Sequence, residues 1–508
     1  MEAEELLKRY ELVKKYTEGE RDFIAINLNE ANLSRINLSQ ANLSNASLFV
    51  TNLSGANLSE INLTGANLNV ARLSSTNLVR AILNGATLNV ANLVRADLTE
   101  AQLIGAALIR GELIRAELSK ANFSKANLTG ADLREAKLTQ VNFSQANLSG
   151  ANLRGVSGTG ANFEMVNLHG SDLTKADLNG ADLSGADLRQ ANLSLVNFSG
   201  TNLSGANLRW ADLSGANLSS ADLNEAKLSG ANLYGANLTN ANLANASLVH
   251  TDLTVANLIG ADWVGADLSG STLSGAKLYD VPRFGIKAEE ITCDWVDLSF
   301  NGDNSQIFRF GSPEESKKFF NHTPPTVKII VDSTLEHEAN CFLATTYQQI
   351  AQYYPVVYRP PSIEAGYRKT TITFIIDSDE HLLPTGCIAI LPFVDAVTTQ
   401  KNLIALARNL QLQNIEKKRI VQLCTAMNEG INKLNDLKKM LPFLNNEQKN
   451  KFFHAPTQTI LKNSSEQNLT VQFNPNFGKR FLNSHPHKFT LPNTNKFVEF
   501  IESFYYLN

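Results

Sequence analysis

Two aspartates that close apolar, β-branched runs are the first residues to weigh as chemistry. Asp332 ends Ile-Ile-Val-Asp-Ser and Asp377 ends Ile-Ile-Asp-Ser-Asp. If the two runs are parallel strands, their carboxyl ends meet where open α/β sheets bind ligands, and two or three carboxylates there can hold a divalent cation. Asp-Ser after a strand is more commonly turn and N-cap chemistry, so the pair is a weak ligand candidate. His337 and Cys341 stand four apart, a helical spacing that allows a thiolate–imidazole pair. No third group orients the imidazole, which makes packing the simpler reading. His485 and His487 flank Pro486, a poor metal spacing, and no GxxxxGK[ST] phosphate loop occurs. Lys417-Lys418-Arg419 is read as a solvated face of a helix. Cys293, Cys341, Cys387 and Cys424 are far apart and form no CxxC, so neither a disulfide framework nor a zinc knuckle is indicated. No metal, no cofactor and no catalytic signature is expected, and a reducing cytoplasm is the compartment that fits.

The elements that would position these groups follow Thr323-Pro324-Pro325, a stiff linker. Val327–Val331 is a β-branched strand, Leu335–Tyr353 a helix, and Thr370–Ile376 a second strand, which suggests a βαβ or split-βαβ unit. Gln400–Leu412, Ile415–Met440 and Leu491–Tyr506 carry helical apolar spacing. Residues 326–508 are therefore expected to form an α+β or α/β domain.

The larger part of the chain is ruled by a different period. From Phe23 to Leu278 every fifth residue is Leu, Phe or Trp, except Gly158. Two places earlier stands Ala in most units, and the residue between is usually Asn or Asp. Five is neither the helical 3.6 nor the strand 2.0, so neither element places the leucines on one face. The chain must turn a corner every five residues, with Leu and Ala pointing into a narrow bore.

These residues resemble the pentapeptide repeat family, whose A[DN]LXX motif stands verbatim at Ala216-Asn217-Leu218-Ser219-Ser220 and Ala181-Asp182-Leu183-Ser184-Gly185. The resemblance implies a mainly β fold, a right-handed quadrilateral β-helix with four pentapeptides per coil, over 21–280. About thirteen coils at the strand spacing of about 4.8 Å make a rod of roughly 60 Å. Such an array is stabilised by neighbour contacts and needs capped ends. Residues 1–20 are expected to form an N-terminal helix with Leu6, Tyr10, Val13 and Tyr16 on its apolar face, stopped by Gly19 and plugging the bore. Residues 281–325 supply the second cap and linker, with Leu298 back in phase and Trp295 sealing the bore. Capped ends argue for a monomer.

Sorted by a twenty-residue coil, five of the six central aromatics share one column: Phe23, Phe123, Phe143, Phe163 and Trp263, with Phe198 elsewhere. The rings of Phe123, Phe143 and Phe163 are expected to stack. Asp and Asn alternate down outward columns, so that an Asn separates carboxylates that would otherwise repel. Asp97/Glu117 and Glu112/Asp132 break that rule. Gly158 lacks a central side chain, and a bulge or small void is expected there.

Some members of the resembled family bind type II topoisomerases by imitating duplex DNA. Duplex DNA carries about one charge per 1.7 Å, so a rod of roughly 60 Å would need about 35. Arg21–Asp280 holds 21 acids against 17 bases, and the whole chain 49 against 45. Charge mimicry is therefore the least favoured reading, and neither nucleic acid nor an anionic membrane is an expected partner. The charged stretch Met1–Glu20, and the lack of any apolar run of about 18 residues, leave no expected signal or membrane span.

One outward column is unusual. Val50, Val70 and Val90 recur in successive coils where Gly, Arg or Gln is the rule, with Phe49 beside them and Val94, Ile114, Ile104 and Ile109 nearby. Contiguous exposed apolar surface marks an interface; β-branched residues on a strand edge, or cover by the chain's own C-terminal part, are the plainer explanations. The chain is thus expected to be a non-enzymatic interaction protein. Phe49, Val50, Val70, Val90, Val94 and Ile114 are its candidate contacts with a protein partner, and Asp332 and Asp377 the weaker ligand candidates of a sensing or divergent enzymatic C-terminal domain.

Overall fold

In the computed structural model, the described residues are 2–282, 285–320, 323–357, 359–376, 378–410, 417–440, 450–478 and 494–503. They divide into two units, Met1–Asn321 and His322–Asn508.

In the first unit the corners are made by two-residue turns. Ile26 N donates to Phe23 O at 3.3 Å and Ala31 N to Leu28 O at 3.2 Å, and the pattern repeats along the unit. The second residue of each turn has positive φ, whether Gly55 (67°), Arg35 (56°) or Glu30 (61°). Only the Asn/Asp position bridges to the next layer, and every bridge joins residue i to residue i+20, from Asp22↔Asn42 to Thr272↔Thr292. Four repeats therefore close one coil with four faces. Numbering from Arg21, the third face of successive coils is 31–35, 51–55, 71–75 and onward.

The central Leu and the preceding Ala are buried throughout. Where Thr replaces Ala, its hydroxyl is satisfied inside the bore: Thr51 Oγ1 donates to Leu28 O (2.8 Å) and Thr251 Oγ1 to Leu228 O (2.9 Å). The rings of Phe123, Phe143 and Phe163 stack at 5.0 and 5.3 Å. Outside, asparagine amides bridge the separated carboxylates: Asn202 Nδ2 donates to Asp182 Oδ1 (3.1 Å) and Asn242 Nδ2 to Asp222 Oδ1 (2.9 Å). The same oxygens cap the local turn, as Asp182 Oδ1 accepts from Ser184 N. The two stacked acid pairs have local answers. Lys137 Nζ lies 2.9 Å from Glu117, Asn92 donates to Glu112, and Arg134 holds Asp132 at 2.6 Å. Gly158 leaves neither bulge nor void: its amide keeps the ladder to Asp177 O (2.7 Å), and Leu178 has moved into the vacated space.

The N-terminal helix α1 spans Glu2–Thr17 and ends at Gly19, φ 99°. Its inward face differs from the expected one. Leu12 is 2% exposed and Tyr10 is 67% exposed, with Val13 also outward. Arg9 donates to Asn32 O and Ser34 O, and the Tyr16 hydroxyl to Ser39 O (3.0 Å). Polar ends of Arg9 and Tyr16 reach free carbonyls of the first coil, which rotates the helix to seat Leu12. Leu6's side chain lies outside the described residues.

At the other end β1 (Ala276–Lys277) pairs in parallel with β2 (Trp295–Asp297), keeping the twenty-residue register, and β2 pairs antiparallel with β3 (Ile307–Arg309). Trp295 does not seal the bore. It opens β2 in the column of Val255 and Gly275, half-buried, with the Arg309 guanidinium 6.0 Å from its ring. The aromatic closure comes from α2 (Pro313–Phe320), whose Phe319 and Phe320 are buried. Phe319 stacks on Phe308 at 5.5 Å, and Phe320 meets the Trp263 ring edge-on at 6.4 Å.

The second unit is a five-stranded sheet with helices. After β4 (Thr326–Val331) come α3 (His337–Tyr353), β5 (Ser362–Ala365), β6 (Thr370–Ile375), α4 (Leu382–Ala389), α5 (Ala396–Leu410), α6 (Lys417–Met440), α7 (Lys451–His454), β7 (Thr457–Lys462), β8 (Asn468–Phe473) and α8 (Thr494–Glu502). The sheet order is β5-β6-β4-β7-β8 and every pairing is antiparallel. Among the described residues the expected βαβ or split-βαβ unit therefore does not form, and the unit is α+β. Alternation such as Thr370, Ile372 and Phe374 buried against Thr371 and Thr373 half-exposed gives one apolar sheet face. Against it packs α4, Leu-Leu-Pro-Thr-Gly-Cys-Ile-Ala, all eight residues buried. No helix among the described residues is long and apolar enough to cross a membrane.

Candidate functional site

The valine column is built on the corners, not on a strand. Val50, Val70 and Val90 have φ of 58°, 62° and 57°. A β-branched residue in the left-handed region is an outlier, because its branched carbon crowds the following carbonyl. The strand-edge explanation therefore fails, since these residues occupy a conformation that β-branching disfavours. Val70 is 42% and Val90 54% exposed, Val50 is half-buried, and Phe49 is exposed with its amide held by Asn29 Oδ1 (2.9 Å).

This corner opens the third face. Val94 and Ile114, both half-buried, sit in the turn at its far edge, so all six candidate residues bracket one face. Further along the same face Leu195, Trp210, Tyr234 and Val255 are exposed, Trp210 at 62%. The Trp210 ring leans onto the next coil, where a β-carbon on Gly230 would lie 2.6 Å from its Cδ1. Only glycine there, at φ 69°, leaves the indole room.

Charge on this face changes sign along its length. Arg72, Arg95 and Arg110 are exposed among the valines, and among the described residues none has a carboxylate within ion-pair distance. Toward the middle, Arg115 meets Glu135 (2.7 Å) and Arg154 meets Asp172 (3.6 Å). The Arg115 hydrogen bond holds the Glu135 carboxyl below its ordinary range. Beyond, Asp212 and Asp252 bond only to asparagine and backbone N–H groups, and no cation pairs with them among the described residues.

The parallel strand ends on which the ligand candidates of the second unit depend do not form: β4 and β6 run antiparallel, so Val331 and Ile375 close them at opposite ends. Asp332 Oδ2 accepts from Gly478 N at 2.8 Å, a contact between distant parts of the chain and not the local turn or N-cap bond that Asp-Ser suggests. Asp377, His485 and His487 lie outside the described residues. His337 Nε2 and Cys341 Sγ are 3.8 Å apart on an exposed face of α3. No group of three or more His, Cys, Asp or Glu among the described residues is placed to hold a metal ion. Two buried carboxylates escaped the sequence reading. Asp395 accepts from Thr457 N (2.9 Å), Thr457 Oγ1 (2.8 Å) and Asn474 Nδ2, and Asp379 accepts from Ser464 N and its hydroxyl. Both tie distant loops together, a pairing that no local spacing announces.

The sequence profile described as Pentapeptide repeats matches residues 22–49 and, in overlapping segments, 51–281. Among solved structures, the chain is similar to HetL, a pentapeptide repeat protein involved in heterocyst differentiation regulation from the cyanobacterium Nostoc sp. strain PCC 7120. Identity is 32%, covering 52% of this chain and 94% of that one, with a TM-score of 0.26. A pentapeptide repeat protein from the Arabidopsis thaliana thylakoid lumen is 33% identical over 17% of this chain and 67% of its own, TM-score 0.15. QnrB1, a plasmid-mediated fluoroquinolone resistance protein, is 21% identical over 38% of this chain and 91% of its own, TM-score 0.24. No curated protein matches the chain.

Proposed function

The chain belongs to the pentapeptide repeat family, and from that premise we propose that it is a non-enzymatic interaction scaffold or regulator whose repeat unit presents a binding face to a protein partner. The reading takes 21–280 as a rod of about thirteen coils at the strand spacing, with α1 and the aromatic cluster around Phe319 as caps. Residues 326–508 then act as the recognition domain. The observation that carries it is the backbone of Val50, Val70 and Val90. Three successive β-branched residues at positive φ cost stability, about 1–2 kcal/mol each. Residues that cost stability and expose apolar surface are kept for contact. Charge mimicry of DNA finds no support on this face, whose valine end carries unpaired arginines.

The test is affinity capture with the full chain beside Val50→Glu/Val70→Glu/Val90→Glu, bound proteins being quantified by mass spectrometry. A protein held by the parent and lost with the variant is the expected result. Identical capture by both removes the valine corner from the binding surface.

A further inference from the structure

The two halves of the third face complement each other. Val70 and Trp210 stand in the same corner column, and Arg72 and Asp212 in the same bridging column. Both pairs are separated by 140 residues, seven coils of twenty. The first half offers an apolar stripe with unpaired guanidinium groups, and the second an exposed indole with unpaired carboxylates. A surface whose partner chemistry lies elsewhere on the same surface is self-complementary, which is the property an isologous dimer requires.

We propose that the third face pairs with the third face of a second copy, antiparallel, with Trp210 of each copy seated on Val50, Val70 and Val90 of the other and Asp212 of each meeting Arg72. This names the occupant of the valine corner and rests on reading that corner as an interface. A two-fold axis lying in the interface across the rod reverses its direction but leaves each column opposite itself. One register then serves both contacts, because the two spacings are equal. The same register sets Gly230 opposite Val50, leaving room for the indole, and Leu195 opposite the Arg95 stem, an apolar partner for its methylenes. It also sets Glu112 opposite Asp172, Arg134 opposite Arg154 and Arg115 opposite Lys175. Glu112 already accepts from Asn92 (2.9 Å), Asp172 is paired with Arg154 (3.6 Å), Arg134 with Asp132 and Arg115 with Glu135, so these repulsions are muted. Each of the two symmetric contacts buries an aromatic anchor beside a charge pair, the usual make-up of a binding hot spot.

The test is the mass of the full chain in solution, by sedimentation or light scattering over a wide concentration range. A dimer that dissociates on dilution, and more readily at high salt, is expected. Arg72→Asp and Asp212→Arg each place like charges together twice per dimer and should each raise the dimer Kd at least about tenfold. Arg72→Asp/Asp212→Arg in one chain restores the pairing and should return the Kd toward that of the parent. Trp210→Ala, which touches no ladder bond, should weaken the dimer with an unchanged circular dichroism spectrum. A monomer at every concentration overturns the proposal, as does a dimer indifferent to both single reversals or a double reversal that stays monomeric. Because the reversals leave the valines in place, a parent chain that is monomeric, or a dimer indifferent to the reversals, while another protein is still captured through the valines sinks the dimer and spares the scaffold.

Discussion

A β-carbon on Gly158 would stand 2.6 Å from Cδ2 of Leu178, the central leucine of the next coil. The missing side chain is thus replaced from above rather than left as a hole. A methyl of Leu178 stands where a side chain at 158 would begin, so its removal leaves both positions empty and opens a larger cavity than removal of a leucine with intact neighbours. Leu178→Ala should cost about 4–5 kcal/mol, the upper end for leucine truncation, against about 3 for Leu183→Ala. Chemical denaturation of the two variants measures the difference, and equal losses would mean that the coil collapses around either site alike.

At the N-terminal end the contrast lies between Leu12 and Tyr10. Leu12→Ala removes a buried side chain from between α1 and the first coil and should cost about 2–3 kcal/mol. Tyr10→Ala removes an exposed one and should stay within about 0.5 kcal/mol. Hydrogen exchange of the amides of α1 and of Leu28 reports the same order; a costly Tyr10→Ala would restore the face expected from the sequence.

The coils were legible in the sequence because a strict period leaves one solution: Leu and Ala must be inside, so corners must fall every fifth residue. The Phe123, Phe143 and Phe163 stack and the Asn bridges followed from counting by twenty. What escaped was whatever breaks the period. Trp295 lies two residues from the central register, and only the structure tells that its ring lies against Gly275 instead of entering the bore. The antiparallel sheet escaped because β7, which pairs with β4 from more than a hundred residues away, and β8 beyond it carry a burial alternation too mixed with Thr, Gln and Asn to announce strands. The six candidate contacts named from the sequence fall along the two edges of one face, but the strain at Val50, Val70 and Val90 could be read only from φ.

Phe320 and Trp295 make a second contrast, at the C-terminal end. Phe320 is buried against Trp263, so Phe320→Ala should cost about 3–5 kcal/mol and expose the last coil to exchange. Trp295→Ala trims a half-buried ring and should cost less. A reversed order, measured by thermal denaturation, would return the sealing role to Trp295.

Cys293 occupies a central position at the end of the bore, and burial pushes its thiol up to about 12 from an ordinary 9.0. Below pH 9 the thiol is neutral folded and unfolded and contributes no pH dependence. Between pH 9 and about 12 the unfolded chain loses this proton while the folded one keeps it, so stability falls as pH rises. Cys293→Ala should therefore show a shallower loss of stability on raising the pH from 9 than the parent. In the native protein exposed Cys341 should react with a thiol reagent while Cys293 and Cys387 do so only on unfolding. Rapid native labelling of Cys293, located by mass spectrometry, would contradict its burial.

The valine corner offers the sharpest separation of stability from binding. Asparagine tolerates the left-handed region, and this fold already places it at the same corner position in Asn45, Asn240 and Asn245, φ 57°, 56° and 58°. Replacing Val50, Val70 and Val90 by Asn relieves the crowding of three branched side chains without the entropy cost that glycine would bring. Each change should raise stability by about 1 kcal/mol, visible as a higher denaturation midpoint at unchanged denaturant slope. The same triple variant should lose whatever the corner binds, since the apolar stripe is gone. Residues that lower stability when present and abolish association when removed are kept for the contact they make. If the triple variant instead unfolds more easily than the parent, the valines are packing for the coil itself, and the physical ground for an interface at this corner disappears.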